Sequence, residues 1–151
     1  THRDGMKEVQ AHAAVVWALA LDPARTIPVA LVSPIEVQRL AAAQWLVDPA
    51  NDRAALQSVL PGFRALLQGS ECNVPRWVSV ARGESPVSRS IAQNMLLGLN
   101  PDEPLFVREM AIASLMRLSG HAFPDYDVRN PTRQSIALVT RSLQAWINQL
   151  H

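Results

Sequence analysis

Prolines and glycines cut this chain into blocks of helical length, and that division constrains its fold more than any other feature. Eleven prolines and six glycines are spread over 151 residues. The residue before a proline is pushed out of the α region, and glycine favours the left-handed turn that ends a helix. Residues 6–21 therefore predict a helix that stops ahead of Asp22-Pro23. Residues 26–32, β-branched and holding Pro28, predict a connector or a short, tight helix. Ser33-Pro34-Ile35-Glu36 reads as a capping box with Ser33 as the cap and Pro34 in the first turn. That helix should end at Asp48-Pro49. Asn51 or Asp52 can cap the next one, which should break at Pro61-Gly62 and resume over residues 63–67 before Gly69.

The second half is divided in the same way. Residues 70–76 read as loop, and 77–81 as a short helix. Ser85-Pro86 repeats the Ser-Pro start for a helix reaching Leu97. A turn at Asn100-Pro101-Asp102 precedes a helix over 103–118, with Gly120 in the C-cap region. Residues 121–130 form a loop, and Pro131-Thr132 open the last helix. No pair of strands with hairpin turn chemistry is visible. The expectation is a single all-α domain with about seven helices.

Composition narrows the class. Hydrophobic residues make up 48% and charged residues 18%, too apolar for a disordered segment. No run of about 18 apolar residues predicts a membrane span, and residues 1–9 are too polar for a secretory signal. A net charge of +1 offers no basic face for nucleic acid. Lys7 is the sole lysine beside thirteen arginines, which reads as a coding bias, since the arginines are scattered. One cysteine, Cys72, excludes an internal disulfide. Compartment stays open.

Comparing the helices with one another gives an internal repeat. Val9-Gln10 is followed by Ala13 and Trp17, Val37-Gln38 by Ala41 and Trp45, and Val107-Arg108 by Ala111 and Leu115. Ser88-Arg89, Ala92 and Leu96 form a degraded fourth copy. Positions i, i+4 and i+8 share a helix face, and a small central Ala lets a neighbouring helix come close. On this pattern Trp17 and Trp45 are expected in the core.

The segment Phe106-Val107-Arg108-Glu109-Met110-Ala111-Ile112-Ala113-Ser114-Leu115 resembles the second helix of a HEAT repeat. Residues 118–127, with Leu118-Ser119-Gly120 leading to Phe123 and Tyr126, are similar to the loop that closes bacterial HEAT-like arrays, and Trp146 lies in the helix after it. Ser119 stands where Thr is usual, and residues 62–86 fit no repeat. The resemblance implies a right-handed stack of antiparallel helix pairs, an α-α superhelix acting as a scaffold without chemistry of its own. Stacking would supply the core that no pair can bury alone, with polar terminal helices as caps.

The residues that could carry chemistry do not assemble into a site. His121, Asp125 and Asp127 fail as an EF-hand, because Asn130 stands where the turn glycine belongs and Ile136 where the bidentate Glu belongs. Cys72 with His12 or His121 is a remote nucleophile–base pair. Ser88 and Ser90 lie in no nucleophile elbow, and Glu71, Glu84 and Glu103 fall in solvated turns. No catalytic residue, metal or cofactor is expected. Trp77 beside Arg76, in the loop-rich middle, is the anchor-like feature, since Trp and Arg are favoured at interfaces. The expected contact surface is Arg76, Trp77, Arg82 and Arg89, and the expected partner is another protein. The alternative is a helical bundle enclosing a small apolar ligand.

Overall fold

A computed structural model of the chain describes residues 2–67 and 71–151, and describes no side chain for residues 2–4, 63 and 65. The expected stop at Gly69 and the start of the loop at Ser70 lie outside the described residues, as does the side chain of Phe63. The protein is all-α. Among the described residues there are eight helices and no strand. They are α1 (His2–Leu21), α2 (Pro23–Leu31), α3 (Glu36–Val47), α4 (Arg53–Leu66), α5 (Val74–Ala81), α6 (Arg89–Leu97), α7 (Leu105–Ser119) and α8 (Arg133–Asn148). The eighth is α2, the segment read as either connector or helix. By their packing the helices fall into two compact units, Thr1–Gln68 and Gly69–His151.

In the first unit α1 packs on α2 and α3, and α2 packs on α3 and α4. Asp22 caps α2 by accepting the Arg25 N–H, and Pro23 sits in the first turn, where a missing donor costs nothing. Pro28 lies inside α2 and Pro61 inside α4, so the break expected at Pro61-Gly62 does not occur. Packing explains the difference. A Cβ on Gly62 would come within 3.2 Å of the Pro28 ring, so the two prolyl segments face each other where α2 meets α4. Asp52 is the cap of α4, accepting the Ala54 N–H. The apolar centre is built from Ile27, Leu31, Ala42, Ala43, Leu46 and Val59.

Ser33 does not cap α3. Its hydroxyl donates to Gln38 Oε1 at 2.6 Å and accepts the Ile35 N–H at 3.1 Å. This local turn competes with the helix, and the first helical residue is Glu36. The Ser33 carbonyl accepts a hydrogen bond from the wholly buried Arg39. Ser85 departs from expectation in a similar way. Its hydroxyl lies 3.1 Å from that of Ser79, and the cap of α6 is Ser88, which accepts the Ile91 N–H.

In the second unit α7 packs on α5 and α6, and α8 packs on α6. Val107, Met110, Ala111 and Leu115 of α7 are fully buried. Leu105, Ala113 and Leu118 of the same helix are only half-buried. Gly120 ends this helix at φ 73°, donating its N–H to Met116. Thr132 and Ser135 form a reciprocal capping box at the start of α8, which buries Val139, Leu143 and Ile147. Residues 70–76 are not all loop. Asn73 caps α5 by accepting the Arg76 N–H, and the helix begins at Val74.

The loop between α7 and α8 is held by hydrogen bonds to main-chain carbonyls. The buried Tyr126 hydroxyl donates to the Leu99 carbonyl at 2.8 Å. Arg108 donates from Nε to Glu103 and from Nη1 to Val128. Burial is the main cause that raises the Tyr126 hydroxyl far above its ordinary pKa, with Glu109 and Asp127 adding to the shift and Arg108 opposing it. The stability contributed by the protonated phenol is therefore whole below the unfolded-chain value of about 10. It falls as pH climbs past that point, because only the unfolded chain then releases the proton. Tyr126 is the only tyrosine, so absorbance reads it alone. Tyrosinate should appear above pH about 10 together with loss of helical circular dichroism, and Tyr126→Phe should cost about 1 kcal/mol at neutral pH. Ordinary titration near pH 10 in a fully helical chain would show that the phenol is not held in this way.

Candidate interaction surface

The four residues expected to form a contact surface fall into different environments. Trp77 has no exposed surface and belongs to the core of its unit. Its Nε1 donates to Asn94 Oδ1 at 2.9 Å, and the same oxygen accepts the Asn73 N–H at 3.0 Å. A Cβ on Gly98 would fall 2.5 Å from the Trp77 ring and 3.0 Å from Ala111. The ring thus occupies space that only glycine at position 98 leaves open. Arg82 is also buried, as the C-cap of α5, with Nε 3.0 Å from Glu84 Oε1. Arg76 and Arg89 are exposed. Arg89 donates from its main chain to the His151 carbonyl and from Nη2 to the carbonyls of Asn148 and Leu150. Arg76 borders a cleft of about 270 Å³ with Asn73, Ser90 and Asn94. Arg89 borders a second cleft that shares Ser90. Neither buried residue can anchor a partner, and Arg89 is occupied with its own unit.

The chemical candidates are dispersed. Cys72 is a buried thiol. His121 stacks on Phe123 with ring centroids 6.3 Å apart. Asp127 accepts the Arg129 N–H, closing a turn in the loop before α8. Among the described residues no group of three or more His, Cys, Asp and Glu could hold a metal ion. No described helix is long and apolar enough to cross a membrane.

The feature that stands out is on α1. Among the described side chains of α1, Val15 and Leu19 are the buried ones, 6% and 3% exposed, and with Ala11 and Ala18 they form its inner face. On the other side Met6, Val9, Val16, Trp17 and Leu21 are 53%, 69%, 47%, 70% and 70% exposed. Ala13 and Ala20 are exposed among them. At 100° per residue these positions span an arc of about 140°, opposite the packed face. Among the described side chains of α1, residues 5–21, Gln10 is the only polar one within the arc, and Lys7 and Glu8 lie outside it. The stripe bares several hundred Å² of apolar surface, as large as the biggest patches that monomers tolerate. The helix expected to cap the fold with polar residues instead bares this apolar stripe.

The Trp17 expectation is overturned by the same geometry. Trp17 and Trp45 share a repeat position, yet Trp45 is half-buried and Trp17 largely bare. Of the repeat's central alanines, Ala41, Ala92 and Ala111 are buried, and only Ala13 is not. Periodicity places residues on a face but does not say whether a neighbour covers it. The sequence signal for an uncovered face was the near-continuous apolarity of residues 11–21, more than one packed stripe requires. A cleft of about 190 Å³ between α1 and α3 runs beside the stripe, with His12, Gln44, Asp48 and Asn51 on its wall.

Because Trp77 is core, Trp77→Ala should lower stability by about 3–5 kcal/mol in urea unfolding. Trp17→Ala, on the bare stripe, should change stability by less than about 0.5 kcal/mol. Equal effects of the two substitutions would contradict the assignment of core and surface. Comparison of the chain with protein-family models, with curated proteins and with solved structures finds no match.

Proposed function

We propose that the protein is a non-catalytic interaction module that binds another protein chain through the outer face of α1. The observation that carries this reading is the bare apolar stripe of Met6, Val9, Val16, Trp17 and Leu21. Contiguous apolar surface of this size is costly in water, and its common use is to be covered by a partner. The spacing of Met6, Val9, Ala13, Val16 and Ala20, alternately three and four residues, is that of a helix-packing seam. A partner helix is therefore the occupant that fits.

The helix-pair stack is proposed as the scaffold that displays this face. In the first unit α1 packs on α3 and α2 on α4. In the second α5 packs on α7 and α6 on α8. Contact between elements two apart is what stacked helix pairs produce, since like helices of successive pairs lie side by side. This supports a HEAT-like arrangement, most fully in the first unit, where α1 also packs on α2 as a pair.

Site-specific photo-crosslinking in the native host tests the function. A photoreactive phenylalanine at position 9 or 17 should give a discrete adduct, and one at Arg141, exposed on α8, should not. Yields at 9 and 17 no higher than at 141 would overturn the assignment of α1 as the contact face.

A further inference from the structure

The geometry points to a second copy of this chain as the occupant of the α1 face, with two α1 helices packed antiparallel about a two-fold axis at Ala13. This inference rests on α1 being the contact face and adds the identity of what covers it.

Three observations favour a self-complementary pair. Over residues 5–21, the stretch that an antiparallel pair centred on Ala13 brings together, the arc carries no charged side chain, because Lys7 and Glu8, the only Lys, Arg, Asp or Glu there, point outside it. Two copies can therefore meet without opposing like charges. The order of large and small residues also reads correctly in both directions from Ala13. In an antiparallel pair centred there, Ala13 faces the partner's Ala13 and lets the helices come close. Met6 then lies over the partner's Ala20, and Trp17 over the partner's Val9 with the partner's Gln10 alongside. Each bulky side chain meets a smaller one, and the Trp17 indole N–H gains an amide oxygen as acceptor. An isologous contact of this kind closes on itself and leaves no sticky end.

The third observation is size. Each copy offers several hundred Å² of exposed stripe, so two copies bury on the order of 1,000 Å², where specific interfaces begin. The result is a weak-to-moderate dimer whose population depends on concentration.

Sedimentation equilibrium of the full chain across micromolar concentrations tests this, with circular dichroism confirming that each variant keeps its helices. The wild type should reach twice the chain mass. Val9→Glu and Trp17→Glu, both at largely exposed positions, should weaken association at least tenfold. For orientation, Met6→Cys chains mixed with Ala20→Cys chains should oxidise to a mixed disulfide in preference to either like pair. The wild-type chain, whose Cys72 is buried, serves as the blank. A monomer at every concentration overturns the self-pairing. A dimer indifferent to Val9→Glu overturns it too, because another face then associates. Preferential Met6→Cys like-pairs overturn the antiparallel arrangement. If the chain is monomeric while position 9 still crosslinks to a different protein, the contact-face reading stands and only the second copy fails. If the chain is monomeric and positions 9 and 17 crosslink no better than 141, both fail.

Discussion

The second unit depends on one amide oxygen. Asn94 Oδ1 receives both the Trp77 indole N–H and the Asn73 main-chain N–H, so a single side chain of α6 fixes the start of α5 and the ring in its middle. A wholly buried Trp contributes strongly only if its N–H is satisfied, since an orphaned donor would cost much of what burial contributes. Gly98 supplies the other half of the fit, because a Cβ there would collide with the ring. Hydrogen bond and notch lie on or just past the same short helix, and α7 packs against both α5 and α6. The short α6 thereby sets the positions of α5 and of the longer α7.

The first unit is built on another principle. Beside its Ile, Leu and Val core it has two close approaches made by small residues: Ala41, Ala42 and Ala43 in sequence on α3, and Gly62 against Pro28 where α4 meets α2. Small residues bring helices close and bury their backbones, but they cover little of a neighbour's bulk. α1 spends its buried contact on Val15 and Leu19 and keeps its larger side chains outside. The surplus follows from arithmetic on a helix surface, since a helix apolar on opposite faces needs two neighbouring surfaces.

Much of the fold was legible in the residues themselves, and the failures share a cause. Asp52, Thr132, Gly120 and the Asp48-Pro49 stop are local signals, and their geometry was readable because nothing distant competes with them. Ser33 and Ser85 misled because each hydroxyl is captured by another side chain, Gln38 and Ser79, leaving the caps to other residues. Pro61 failed as a helix breaker because α2 packs along α4 past it. Trp17 and Trp77 exchanged places for the same reason. Their sequence settings suggested core and surface, and the neighbours each helix found decided the opposite. Of the expected site residues only Arg76 remains exposed with no hydrogen bond from its guanidinium to a described residue. The α1 face was visible only as an excess of apolar positions that the repeat had already claimed for the core.

The clasps in the second unit have one property in common. Tyr126 grips the carbonyl of Leu99, Arg108 those of Glu103 and Val128, and Arg89 those of Asn148 and Leu150. Every acceptor is main chain, present whichever amino acid occupies the position. The gripping residues are therefore chemically specified, while the gripped ones are constrained by the clasp only in backbone position, although Leu99 and Val128 are also buried. Mutational tolerance in this unit should be lopsided: insertions near Leu99 or Val128 would disengage the loop, whereas exchanges of side chain at exposed acceptor positions such as Asn148 would pass almost unnoticed.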